Sequence, residues 1–339
     1  MPEPLLEVSD LRVAFRTRHG TVTAVDGLSF SIEAGDALGV VGESGAGKTV
    51  TVLSLLRLIS DPNAQISGSA VFRGEDLLRM PPDQLRGIRG REISMIFQDS
   101  MTALTPVYPI GWHIAEQLRA HEPMSRRAAR DRSVALLREV GLPNPDLRVD
   151  SYPHQLSGGM RQRACIAMAL AGNPRLLIAD EPTTALDVTT QAQILELMRR
   201  LRTSHGSAII LITHDMGVIS EIADQVLVMY GGRAVERGSK TDVFRRPRHP
   251  YTWGLLDSVP RVTGPRVRRL AAIPGSPVRP WDLPTGCVFA PRCALRHEAC
   301  EARPELRGFD GPGADGHLDA CWLPDNRAEL RQRARVSQP

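Results

Sequence analysis

The chain has 339 residues, with 42 Lys and Arg against 38 Asp and Glu and a formal net charge of +4. That length allows one large domain or a main domain with an extension, and acid interleaved with base throughout excludes the basic stripe of a nucleic-acid-binding protein. No run of about 18 uncharged apolar residues occurs, and the opening MPEPLLEVSD lacks the basic start and apolar middle of a secretory signal, so the chain is expected to stay in the cytosol.

From residue 5 to about 32, short apolar stretches (LEVSDLRVAF, VTAVDGLSFSI) broken by Gly and charge predict antiparallel strands. Residues 37–42 predict a buried strand that runs into a Gly-rich turn and the helix KTVTVLSLLRLI. The turn, GESGAGKT at 42–49, fits the phosphate-loop pattern G-x-x-x-x-G-K-[ST]. In that pattern backbone N–H groups curl around phosphates, Lys48 reaches the β and γ phosphates, and the Thr49 hydroxyl can ligate Mg²⁺. The helix N-terminus adds a favourable dipole for anions. The ATP-binding candidates here are Gly42, Ser44, Gly45, Ala46, Gly47, Lys48, Thr49 and Val50.

GSAVFRGEDL and ISMIFQD predict two more strands, and residues 110–149 turn helical, with SRRAARDRSVALLREVGL at helical spacing. Next, LLIAD, AIILITHD and VLVMY alternate with helices near 188–202 and 216–223, the βαβ rhythm of a parallel α/β sheet. LLIADE places two carboxylates at a strand tip, where Asp180 can hold the Mg²⁺ of a nucleotide and Glu181 can polarise the attacking water as general base. Beyond about residue 240, Pro becomes dense and periodicity fades, which marks a separate loop-rich extension. Residues 325–339 predict a short helix or a frayed tail.

LSGGMRQR at 156–163 resembles the signature motif of ABC ATPases. Ser157 and the backbone of Gly158 and Gly159, at a helix start, form a second anion site. In the family that site closes over the γ-phosphate held by the opposite subunit, so the resemblance implies a dimer. It also implies that Gln98 is the Q-loop glutamine touching Mg²⁺ and the attacking water. Ala185, Leu186 and Asp187 resemble the D-loop that crosses the dimer, and His214 the switch histidine that contacts the γ-phosphate and steadies Glu181. Phe15 is the candidate for stacking on adenine, with His19 as an alternative. The implied fold is an α/β P-loop ABC-type nucleotide-binding domain at 1–240, with a parallel sheet core, an antiparallel β subdomain and a helical signature subdomain at about 100–165.

FQDSMTALTP, SYPHQLSGGMRQR, RHPYTWGLLDSVP, IPGSPV and GCVFAPRCALRHEAC are similar to the ATPase subunits of oligopeptide and dipeptide importers. This resemblance implies a C-terminal extension at 241–339, a homologous partner ATPase, two permease subunits, an extracytoplasmic binding protein, and a peripheral place on the cytoplasmic face of the membrane. Importers of nickel and other small solutes share much of the pattern. Cys287, Cys293, Cys300 and Cys321 stand as C-x5-C-x6-C-x20-C, without the close pairs of common zinc sites. Four thiolates can hold Zn²⁺ or an iron–sulfur cluster, or remain unligated. Members of the resembled subgroup with this pattern carry a [4Fe–4S] cluster, which favours iron over zinc. Cys165 reads as core packing. A chromosome-maintenance ATPase would need a long coiled coil between Lys48 and Ser157, and none is present. One ATPase cassette argues against a translation factor, and missing fused membrane spans against an exporter.

Overall fold

A computed structural model of the chain describes residues 3–99, 103–184, 186–259, 272–308 and 316–336. Its first elements are β1 (Leu6–Thr17), β2 (Gly20–Ile32), β3 (Ala37–Val41), α1 (Lys48–Leu55), β4 (Ala64–Phe72) and β5 (Glu75–Asp76). Then come α2 (Pro82–Ile88), β6 (Ile93–Ile96), α3 (Ile110–His121), α4 (Arg126–Glu139), α5 (Pro145–Arg148), α6 (Gly158–Leu170), β7 (Leu176–Asp180) and α7 (Val188–His205). The chain continues through β8 (Ala208–Thr213), α8 (Met216–Ile222), β9 (Gln225–Tyr230), β10 (Arg233–Ser239), α9 (Lys240–Arg245), α10 (Pro250–Asp257), β11 (Leu318–Asp319) and α11 (Arg327–Val336). It divides into two compact units, one of residues 1–32, 38–78 and 213–339, the other of residues 33–37 and 79–212.

In the first unit β1 lies between β2 and β4, antiparallel to both, and β5 extends the β4 edge. Leu6 and Val8 face inward, and Leu11 and Val13 resume the same face after a register shift. The shift coincides with Asp10 at φ +47, where an inserted residue resets the two-residue alternation as a β-bulge does. A further group of strands runs β3 parallel to β9, with β10 antiparallel to β9 and β11 antiparallel to β10. All five residues of β3 are buried, as expected of a parallel strand covered on both faces. Helix α1 stops at Leu55, short of the predicted end near Ile59, because Leu56 leaves helical geometry and Arg57 turns left-handed at φ +50.

Residues beyond 240 are loop-rich, with 3₁₀ turns at 290–292 and 298–301, yet they belong to this same compact unit. A charge network shows why. Fully buried Glu236 accepts hydrogen bonds from the backbone of Arg248 and His249 at 2.8 and 2.9 Å and contacts His317 Nε2 at 2.9 Å. Asp319, on β11, pairs with Arg248 at 2.5 Å and Arg327 at 3.0 Å. Removing one partner of such a buried pair typically costs about 3–5 kcal/mol, so the network ties the late residues firmly to β10.

In the second unit β6, β7 and β8 form a parallel array in which β7 and β8 are buried along their whole length. Helices α3, α4 and α6 supply an apolar interior through Ile110, Ile114, Val134, Leu137, Ile166 and Leu170. Cys165, on α6, is buried there, and burial followed by the charge of Asp99 pushes its thiol up to about 12, the state of an inert core residue. Among the described residues no helix is long and apolar enough to cross a membrane.

Candidate functional site

The first unit carries the glycine-rich loop between β3 and α1. Gly47 caps α1 at φ +94, and a Cβ there would come within 2.5 Å of the Ala24 carbonyl, so no larger residue fits the turn. The first turn of α1 holds no acidic residue, leaving its N-terminal dipole open to an anion. Lys48 is buried, and its Nζ donates to the carbonyls of Gly42 at 2.8 Å and Glu43 at 3.1 Å, which folds the ammonium back over its own loop. Thr49 and Val50 are half-buried behind it, Ala46 and Gly42 are buried, and Ser44 and Gly45 are exposed.

Two residues that sequence reasoning missed hold this loop. The Glu43 backbone N–H donates to the Tyr251 hydroxyl at 2.7 Å, and the Glu43 carboxylate receives Arg292 through both terminal nitrogens at 2.5 and 3.2 Å. Arg292 is almost wholly buried and also donates to the carbonyls of Pro274 and Ile273. Phe15 sits half-buried on β1 opposite Val22 and Ala64, and His19 is exposed in the β1–β2 turn. His214 is exposed just after β8, between Thr213, whose hydroxyl accepts from Asp215 N–H at 3.0 Å, and Asp215, which caps α8.

The second unit carries the carboxylates. Asp180 ends β7 almost completely buried, and Glu181 follows at φ +47, a left-handed conformation that a side-chain-bearing residue adopts only at a cost of about 1–3 kcal/mol. The Glu181 backbone N–H donates to Ile212 at 2.8 Å. Its Oε2 accepts from the Thr184 hydroxyl at 2.8 Å and from Gln98 Nε2 at 3.4 Å, so the chain end of β6 and the turn after β7 converge on one carboxylate. The sequence signal for Thr184 was only its place three residues after Glu181.

Ser157 caps α6, its Oγ accepting from Met160 N–H at 3.3 Å. Asp187 caps α7 through Thr190 N–H at 2.9 Å and Thr190 Oγ1 at 2.7 Å, and these bonds hold its carboxyl below the usual range. A Cβ on Gly159 would reach Thr190 Cγ2 at 2.6 Å, so the two helix starts meet at that contact, with Ser157, Gly158, Asp187 and Val188 all exposed. Leu186 is half-buried beside them, and Ala185 lies outside the described residues, as do Ser100, Met101 and Thr102 of the segment after Gln98.

The four C-terminal cysteines come near one another in the first unit. Cys287 N–H donates to the Cys300 carbonyl at 3.0 Å. Burial, and then the charges of Cys321, Cys287 and Cys300, push the Cys293 thiol up to about 12. Cys287 is raised by burial and by Cys321 and Cys300; Cys321 is raised by burial, with Arg327 opposing. Among the described residues, however, no group of three or more His, Cys, Asp or Glu side chains is placed to hold a metal ion, so the expected cluster or Zn²⁺ has no ready ligand set here.

Residues 25–184 match the family model described as ABC transporter, and residues 235–300 match that of the oligopeptide/dipeptide transporter C-terminal region. The chain is 47% identical to the oligopeptide transport ATP-binding protein OppD of Haemophilus influenzae, covering 96% of this chain and 99% of that one. It is 48% identical to the dipeptide transport ATP-binding protein DppD of Bacillus subtilis, over 96% and 97%. Among solved structures, the dimeric cassette MJ0796 shares its fold at a TM-score of 0.63, with 24% identity over 69% of this chain and 98% of that one. CbiO1 from Clostridium perfringens is similar at a TM-score of 0.60, with 25% identity over 72% and 92%.

Proposed function

This chain belongs to the ABC transporter family, and from that membership we propose that it is the ATP-hydrolysing subunit of an importer of oligopeptides or dipeptides. The observation that carries the chemical part is Glu181, a carboxylate in strained backbone at a strand tip, oriented by Thr184 and Gln98. A base fixed in this way takes the proton of the attacking water without reorganising first.

The remaining roles are assigned on the same reading. The loop at 42–50 binds and orients the phosphates, with Lys48 leaving its own carbonyls for phosphate oxygens. Thr49, Asp180 and Gln98 are assigned to Mg²⁺ as oxygen donors of the hard kind that ion prefers; the ion would supply charge neutralisation on the phosphates. His214 contacts the γ-phosphate, and Phe15 stacks on adenine. Ser157, Gly158, Gly159 and Asp187 serve the nucleotide of a partner ATPase, and their joint exposure at two helix starts, beside the exposed Val188, supports that assignment. The ATPase cassette is assigned to 1–240, with its helical part at about 100–165, and the transporter extension to 241–339.

The partners are a homologous second ATPase, two permeases and an extracytoplasmic binding protein, with this subunit on the cytoplasmic face of the membrane. Exposed Phe97, Val107, Tyr108 and Trp112 support a permease contact, Tyr108 and Trp112 being stacked at 3.9 Å on the second unit. The four cysteines are proposed to hold a [4Fe–4S] cluster, Zn²⁺ being the alternative, on the strength of four soft donors in the C-terminal chain, three of them buried. Iron and zinc analysis of single Cys→Ser variants tests this, and unchanged metal content in all four counts against a shared site.

The function is tested by uptake of labelled di- and oligopeptides in cells lacking this protein, complemented with wild type or Glu181→Gln. Uptake restored by the wild type alone is expected. If the complex assembles and hydrolyses ATP but restores no peptide uptake, the peptide assignment falls and nickel and other small solutes come next.

A further inference from the structure

The first compact unit contains a cleft of about 620 Å³ that none of the nucleotide roles uses. Its charged lining is Arg12 and Asp26 from β1 and β2, Arg233 and Arg237 from β10, and Arg303 and Glu305 from the C-terminal chain: four guanidinium groups against two carboxylates. Asp26 is already oversubscribed. It pairs with Arg12 at 2.7 Å, Arg233 at 2.8 Å and Arg303 at 3.0 Å, and although burial alone would raise its pKa, these cations hold it below the usual carboxylate range.

Arg237 has no share in that carboxylate. Its hydrogen bonds go to the carbonyl and hydroxyl of Ser31 at 3.3 and 3.2 Å, and no carboxylate pairs with it among the described residues. A guanidinium carries five donors, and one withdrawn from water without a counter-charge is costly, as the lowering of its pKa by burial reflects. Gly27 lets the rim close up: from the position its Cβ would take, Asp10 Oδ1 lies at 3.1 Å, Arg303 Nη2 at 3.3 Å and Arg12 Nη2 at 3.4 Å.

We infer that this cleft is a binding site for a phosphoryl-bearing anion, separate from the nucleotide loop. Planar guanidinium forks match phosphoryl oxygens in pairs, the four arginines outnumber the carboxylates even with Asp10, which pairs with Arg12 at 2.9 Å, and the volume suits a small phosphorylated molecule or a lipid headgroup. The cleft also touches the nucleotide loop through a short route: Asp26 N–H donates to the Gly232 carbonyl at 2.9 Å, and Gly232 N–H to the Ala46 carbonyl at 3.1 Å.

The test is calorimetric titration of pyrophosphate into the full chain saturated with MgADP, so that the nucleotide loop is occupied. One further site is expected, weakened about tenfold or more by Arg237→Gln and by Arg303→Gln and kept in Lys48→Ala. ATP hydrolysis by the assembled transporter should be unchanged in both arginine variants. Arg303 is two-fifths exposed, so its variant gives a result even where Arg237→Gln does not fold. Absence of binding in the MgADP-saturated chain, or equal binding by wild type and Arg303→Gln, overturns the site. Flotation with phosphatidylglycerol vesicles then separates the sources: loss of flotation in the arginine variants assigns the phosphoryl group to a lipid, and unchanged flotation assigns it to a soluble ligand.

Discussion

Glu181 is held from three sides: by its own left-handed backbone, by the Thr184 hydroxyl and by the Gln98 amide. Glu181→Gln keeps the shape and loses the base, so ATP should still bind while steady-state hydrolysis falls about a hundredfold or more. Near wild-type turnover by the assembled transporter would remove Glu181 from the base role. Thr184→Val keeps the volume and deletes the donor, leaving the carboxylate free to rotate. Its expected effect is about a fivefold lower kcat at unchanged KM, the size of one hydrogen bond. A change in KM alone would mean that Thr184 acts on binding and not on the base.

Helix α10 begins at a buried histidine. His249 Nδ1 accepts the Tyr251 N–H at 3.1 Å, which requires that nitrogen to be unprotonated, and burial together with the charge of Arg327 holds the ring down to about 3. The folded protein therefore refuses a proton that the unfolded chain accepts near its ordinary value of about 6.5. Stability from this group is complete above that value and is lost as pH falls from there towards 3, by about 1.4 kcal/mol for each pH unit. His249→Asn keeps an acceptor at the cap and should flatten this part of the acid dependence, while His249→Ala should cost about 1 kcal/mol at neutral pH through the lost cap. Urea midpoints at pH 8 and pH 5 check both, and parallel losses in wild type and His249→Asn would discard the idea.

Strands β3, β7 and β8 were legible because a strand buried on both faces is a short unbroken apolar run, and α7 because its apolar residues recur at helical spacing. The glycine-rich turn between β3 and α1 and the carboxylates at the end of β7 stood out as positions because a loop pattern of fixed spacing and an apolar run ending in two acids are both local in the chain. The two-residue strand β11 is too short for any period to register, and the early end of α1 depends on a left-handed Arg57 that no pattern marks. The burial of Glu236, Arg248, His317 and Asp319 has no signal in the sequence, since pairing across the fold leaves no local trace. Arg292 escaped notice for the same reason.

Over the whole molecule, Arg292 makes the C-terminal region part of the nucleotide loop's scaffold. Arg292→Ala removes a bidentate partner from half-exposed Glu43 together with two carbonyl contacts, and should lower stability by about 1–3 kcal/mol. Because the loop loses a strut and keeps its chemistry, KM for ATP should rise with kcat nearly unchanged. A fall in kcat at constant KM would place the effect elsewhere.

The strut also orders events at the ribosome. Residues 79–212 emerge as one nearly continuous compact unit and can fold while synthesis continues, whereas Glu43 must wait for a residue 249 positions downstream. Until that late arginine arrives, the loop lacks its bidentate partner, and closing so long a separation is entropically slow. A nascent or prematurely terminated chain ending before Arg292 therefore carries the complete phosphate-loop motif without the support that shapes it. Such a chain should bind ATP more weakly than the full-length protein, and nucleotide affinity of a chain truncated before Arg292 measures the difference.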